Sequence, residues 1–180
     1  LGKKNPRHSY FLNGIALPSS DTAIRDLGIF ISPTFDWSHH VDVITRNANS
    51  RLFALLKTLK TKDSVLLTRM YVTYVRPLLE SSSPIFSPST ARLSDRIEKI
   101  QRRATRIIIG RDKRRLLGTE PMPPYPQRLK ILNLDTLSRR RKLADLLLLF
   151  RIIKNPVICR VPFSFRATKT RGLRYKIVIP

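Results

Sequence analysis

One cysteine, three histidines and twelve acidic residues are all that 180 positions hold of the side chains from which most metal centres and active sites are built. With Cys159 alone, no intrachain disulfide and no cysteine-based zinc cluster can form. His8, His39 and His40 do not make a metal site either. Adjacent His39 and His40 point in different directions on a helix, whereas an i, i+4 pair would share a face. The acids are scattered singly, at helix starts, beside basic residues or in loops. Acid–base, nucleophilic and two-metal catalysis need converging carboxylates or a histidine with a partner. No Asp-Asp pair on a hairpin, Gly-rich phosphate loop, Gly-x-Ser-x-Gly or His-Glu-x-x-His occurs, and Glu80, beside Ser81 to Ser83, lacks a base. No active site is legible in these residues, and no cofactor is expected in this chain. Apolar runs stay below the roughly 18 residues of a spanning helix, and no signal-peptide h-region is present. The expectation is a soluble, intracellular protein that is not secreted. The chain begins at Leu1 and its first methionine is Met70, so it reads as a piece of a longer product.

What is abundant is positive charge. Thirty-five Lys and Arg give a formal net charge of +23 and a pI of about 11.4. Such an excess repels itself in a compact fold unless a polyanion gathers round it. Nucleic acid is the first partner to consider, because closely spaced phosphates reward clustered cations by counterion release; an anionic membrane is second. At 42% hydrophobic residues the chain can build a real core of one domain or one and a half.

Taken in order, Tyr10 to Leu17 is a hairpin signal around Asn13-Gly14, which accepts the positive φ values of a type I′ turn. Ile24 to Ile31 reads as a third strand, interrupted at Gly28 by a bulge or a close backbone approach. Ser38 opens a long helix with Val41, Ile44, Ala48, Leu52, Leu55 and Leu59 on one face. Asp63 opens another through Leu67, Met70, Tyr71, Tyr74 and Leu78, which Pro77 ends or kinks. Ser81 to Pro88 is a break. The central element is Arg92 to Gly110. Leu93, Ile97, Ile100, Ala104 and Ile107 cluster within roughly 80° of a helical wheel, and the cations occupy a separate arc of roughly 120°. Ser94 is its expected N-cap and Gly110 the residue past its end. Arg92, Arg96, Lys99, Arg102, Arg103 and Arg106 thus share an outward face, either a nucleic-acid contact or an ordinary solvated surface, with Arg96, Lys99, Arg102, Arg103 and Arg106 as the candidate contacts. Arg111 to Arg115 and the Pro-rich stretch from Glu120 to Pro126 read as a loop, either solvated or touching phosphate. A short helix lies within Tyr125 to Leu134. Thr136 or Ser138 caps the last long helix, whose apolar face is Leu143, Leu146, Leu147, Phe150 and Ile153. Its first turn carries Arg139, Arg140, Arg141 and Lys142, the wrong sign for the positive end of a helix dipole; either a ligand supplies the counter-charge or the run is tolerated on the surface.

The predicted fold is mainly α, with a small N-terminal antiparallel β-sheet (a hairpin plus one strand) followed by a basic bundle of about four to five helices. The expected segments are 1–36 (β region), 37–118 (helical bundle), 119–155 (helical extension) and 156–180, an irregular basic tail with a weak strand signal from Tyr175 to Ile179.

The ordered landmarks resemble the C-terminal part of reverse transcriptases from LINE-type (non-LTR) retrotransposons. They are Leu1-Gly2-Lys3-Lys4-Asn5-Pro6 with Tyr10, Asn13-Gly14 and Leu17; Arg25-Asp26-Leu27-Gly28-Ile29; and Trp37-Ser38-His39-His40. Then come Tyr74 to Glu80, Ser87-Pro88, Ile97 to Arg103, and Tyr125, Arg128-Leu129, Leu132, Leu134, Leu137 and Arg140-Arg141. The resemblance spans roughly Leu1 to Asn155. It implies that Leu27-Gly28 is a primer grip, that Ser38 to Gly110 form a thumb on the template–primer duplex of RNA and DNA, and that Arg139 to Lys142 bind flanking RNA or DNA. It further implies that the palm carboxylates with their Mg and the fingers lie upstream, as partners in the same polyprotein, in a nuclear or cytoplasmic ribonucleoprotein. Ser81 stands where the family usually has an aromatic residue, and Phe86 where Trp is common. The alternative is a self-standing or domesticated basic nucleic-acid-binding protein, or a decayed transposon remnant.

Overall fold

Turn chemistry and helical periodicity resolve in the computed structural model, which describes residues 8–17, 21–86, 88, 90–155, 164–167 and 175–178, into a mainly helical chain with two small two-stranded antiparallel sheets at its N-terminus. The landmark residues 1–6 and Ser87 lie outside the described residues. Strands β1 (Phe11–Leu12) and β2 (Ile15–Ala16) close over Asn13-Gly14, both at positive φ. The strand expected over Ile24 to Ile31 is instead a second hairpin, β3 (Ile24–Asp26) and β4 (Ile29–Ile31), with Asp26 opposite Ile29. Its turn is Leu27-Gly28, at φ 44° and 88°, so Gly28 is a turn residue and not a bulge. A leucine at positive φ is sterically unfavourable, and for that reason the sequence disguised the turn.

Helix α1 (Ser38–Thr58) buries Val41, Ala48, Leu52 and Leu56. Ser38 is its first residue rather than its cap; Asp36 Oδ1 accepts from both the Ser38 amide and the Ser38 hydroxyl, at 3.0 and 2.8 Å. Asp63 caps α2 (Ser64–Met70) as expected, accepting from the Val65 amide at 2.9 Å. Pro77 does not end the helical run. The backbone widens into one π turn over Tyr71–Val75 and continues as α3 (Arg76–Glu80), with the Arg76 amide reaching back to the Tyr71 carbonyl. A residue without an N–H is absorbed there while Tyr71, Val75 and Leu79 stay fully buried.

Helix α4 (Ala91–Arg111) crosses this core with Leu93, Ile97, Ile100, Ala104 and Ile108 buried, each large side chain contributing about 1.5–3 kcal/mol of transfer free energy. Thr90, not Ser94, caps it, accepting from the Leu93 amide at 3.3 Å. Gly110 lies inside the helix. The helix runs on to Arg111, which donates to the Leu56 and Leu59 carbonyls at the open end of α1. The stretch after it is no loose loop. Asp112 is buried, accepts from the Ser64 amide at the start of α2 and binds Arg115 on α5 (Lys113–Leu116). Helix α6 (Tyr125–Ile131) adds Leu129 to the buried set.

Two compact units divide inside helix α7 (Leu137–Lys154), at Arg141/Lys142, beyond the Pro-rich stretch. In the second, Leu143, Leu146, Leu147 and Phe150 of the expected apolar face are exposed. There the anticipated C-terminal strand appears as β6 (Tyr175–Val178), antiparallel to β5 (Ser164–Ala167). Among the described residues no helix is long and apolar enough to cross a membrane.

His40 joins β4 to α1: its Nδ1 accepts from the Phe30 amide at 3.4 Å, and its ring packs edge-on against Phe86 at 4.4 Å. Burial, then His39, lowers its pKa from 6.5. The unfolded chain therefore takes up a proton below about pH 6.5 that the folded chain refuses, so stability contributed by neutral His40 is present above that pH and lost as pH falls. The urea midpoint is expected to be lower at pH 5 than at pH 7.5, with a smaller fall in a His40→Gln variant. An equal fall in both proteins would show that His40 is not the responsible group.

Candidate nucleic-acid interface

Because α4 buries one stripe against α1, its opposite shoulder rises beside the outer edge of α1 and leaves a groove of about 880 Å³, with α6 contributing Arg128. Arg96, Lys99, Arg102, Arg103 and Arg106 line it from α4, and Arg46 lines it from α1. Asp42 is the one acid in the lining. The five candidate contacts on α4 are therefore brought together, Arg92 of the same face is not part of the lining, and two cations not expected as contacts, Arg46 and Arg128, join them.

Their surroundings differ. Arg96 is ion-paired with Asp42. Arg102 pairs with Asp95 at 2.7 Å and sits over the Tyr125 ring, 5.4 Å from its centroid. Arg103 donates to Asn49 Oδ1 at 2.7 Å. Among the described residues Arg46, Lys99 and Arg106 have no acidic partner. An exposed ion pair such as Arg102–Asp95 is worth under about 1 kcal/mol, so a polyanion can compete for it.

Gly28 lies elsewhere, at the edge of a separate pocket of about 270 Å³ with Leu27, His40, Ser81 and Ser82. A Cβ there would meet nothing within 4 Å. The glycine serves the left-handed turn, and the open space above it is free for a close approach.

The basic first turn of α7 does not join the groove, and its counter-charge is internal. Arg140 makes a two-pronged pair with Glu80, at 2.5 and 3.0 Å; Arg139 pairs with Asp135 at 3.3 Å; buried Arg141 donates to Ser94 at 2.9 Å. The helix start itself is served by Thr136, whose hydroxyl accepts from the Arg139 amide, and by buried Glu98, which accepts from the amides of Leu137 and Ser138 at 3.3 Å. A ligand is not needed to explain Arg139 and Arg140; Lys142 is exposed at the start of the second unit. Glu98 also accepts from the Tyr125 hydroxyl, which Gln101 reaches as well, so one partly buried network ties α4, α6 and the start of α7. Burial and the Glu98 bond raise the pKa of that phenol.

Tyr125, Arg128, Leu129 and Leu132 recur at i, i+3, i+4 and i+7, so the sequence did contain a sign of Arg128: an arginine inside an apolar stripe. Among the described residues no three His, Cys, Asp or Glu side chains converge as a metal site would require. Compared with protein-family models, with curated proteins and with solved structures, the chain finds no match in any of the three.

Proposed function

We propose that the groove between α1 and α4 grips the backbone of a nucleic-acid duplex, as the non-catalytic, template–primer-holding part of an RNA-directed DNA polymerase of the non-LTR retrotransposon kind. The observation that carries it is the lining: seven cations against one acid along a single concave surface. Phosphates spaced along a duplex neutralise such a surface through counterion release, and contacts to sugar and phosphate fix position without reading sequence. The described residues do not fit a catalytic Mg ion. On this reading the carboxylates that would hold one come from another segment of the same polyprotein, a partner alongside RNA and DNA. The α4 stripe that would otherwise suit a membrane surface is already spent on the core.

The test is fluorescence anisotropy of a labelled RNA–DNA hybrid titrated with the chain at several salt concentrations. With about four to six phosphate contacts, log affinity against log salt has a slope of about −4 to −5. Binding to anionic vesicles with none to the hybrid would overturn the proposal.

A further inference from the structure

Arg128 departs from the other groove cations. Five of its six companions are exposed and Arg96 is half-buried, whereas Arg128 keeps only 9% of its surface in contact with solvent. Its Nε has no hydrogen-bond partner, and no carboxylate among the described residues pairs with it. Burial first, then Arg106 and Arg102, lower its pKa, while Tyr125 works the other way. The Tyr125 ring, 5.6 Å from the Arg128 guanidinium carbon and 5.4 Å from that of Arg102, gives partial relief by its negative face.

An ordinary core does not keep such a group. A buried cation without a counter-ion destabilises the fold, and replacing it with an apolar side chain of similar size is neutral or stabilising. Retaining it is understandable if an anion completes the site. The chemistry of the three guanidiniums selects that anion: planar forks donate in pairs to tetrahedral oxyanions, and strongly to phosphate.

We propose that Arg128, flanked by Arg102 and Arg106, forms a discrete phosphate site in the groove that takes one phosphodiester of the bound strand, a site that rests on the groove being the duplex-holding surface. Arg128 supplies the fixed fork, and the exposed pair closes over the remaining oxygens. The site sets where along the strand the groove engages, whereas the outer cations only attract.

The experiment uses the full 180-residue chain with Arg128→Met and Arg128→Lys. Thermal unfolding is recorded with and without inorganic phosphate at matched ionic strength, and hybrid affinity is measured on the same proteins. Without phosphate, Arg128→Met is expected to melt at or a few degrees above wild type, by about 2–4 °C per kcal/mol recovered. Phosphate is expected to raise the wild-type midpoint and leave that of Arg128→Met unmoved, with Arg128→Lys in between because it keeps the charge without the fork. Hybrid affinity is expected to fall about tenfold in Arg128→Met, the equivalent of about 1.4 kcal/mol. A lower midpoint in Arg128→Met, or its failure to fold, assigns Arg128 to structure and overturns the site; so does an unchanged phosphate response. Equal hybrid binding by wild type and Arg128→Met sinks the phosphate site alone, whereas no hybrid binding by wild type sinks the duplex-holding reading itself.

Discussion

Reversing Arg103 and Arg106 to glutamate is expected to weaken hybrid binding about a hundredfold and to flatten its salt dependence by about two units of slope. Each phosphate contact contributes about 0.9 unit of slope on a duplex, and loss of a contact worth about 1.4 kcal/mol is a tenfold effect. Both side chains are exposed on the groove side of α4, and the bond that ties Arg103 is the one to Asn49. Stability should therefore shift by only about 0.5 kcal/mol, and the variant should unfold as cooperatively as wild type. Equal slopes in the two proteins would remove the outer face of α4 from the contact surface.

That α4 would present two such faces was legible because the information is local: a period of 3.6 residues assigns each side chain to the core or to solvent without knowledge of any partner. Ile97 and Ala104 turned inward and Arg102 and Arg106 outward, as the wheel predicts. Three features escaped because their causes are not local. Leu27-Gly28 lacks the Asn or Asp that advertises a type I′ turn, so its hairpin shows only in the pairing of Asp26 with Ile29. Arg111 and Asp112 look like part of a solvated charge run, yet their partners are Leu56, Leu59 and Ser64, some fifty positions earlier in the chain. The start of α7 reads as short of negative charge because Glu80, which pairs with Arg140, and Glu98, which accepts from the Leu137 and Ser138 amides, come from helices distant in sequence; only Asp135, the partner of Arg139, is local.

The misses at Asp112 and at the start of α7 both involve acidic residues, and where those residues sit bears on function. Of the twelve acidic residues, Asp36, Asp42, Asp63, Glu80, Asp95, Glu98, Asp112 and Asp135 are all tied to helix starts or to arginines. Four of them stitch one element to another: Asp112 joins the end of α4 to α2, Glu80 joins α3 to α7, Asp42 joins α1 to α4, and Glu98 joins α4 to α6 and α7. With the scarce negative charge held at the joints, the groove keeps its excess of cations. A chain this basic can thus be internally neutralised where its helices meet and still present a field to a polyanion.

Glu98 is the joint whose loss should be felt most. Its side chain is buried and accepts the Tyr125 hydroxyl together with the Leu137 and Ser138 amides. Replacing it with alanine leaves the buried Leu137 amide and the partly buried Tyr125 hydroxyl and Ser138 amide without that acceptor, and each buried unsatisfied group costs about 1–3 kcal/mol. A loss of about 3 kcal/mol is expected, lowering the thermal midpoint by about 10 °C for a chain of this size. Amide hydrogen exchange should accelerate first at the start of α7 and in α6, because those elements lose their tie to α4. Glu98→Gln, which keeps one acceptor oxygen, should lose less. Hybrid affinity of the folded Glu98→Ala protein should fall only as far as Tyr125 is released and lets Arg102 and Arg128 move, so a large stability loss with a small binding loss is the expected signature. If the midpoint of Glu98→Ala stays within a degree or two of wild type, the network around Tyr125 does not hold α6 and α7 in place, and the position of Arg128 in the groove then requires another support.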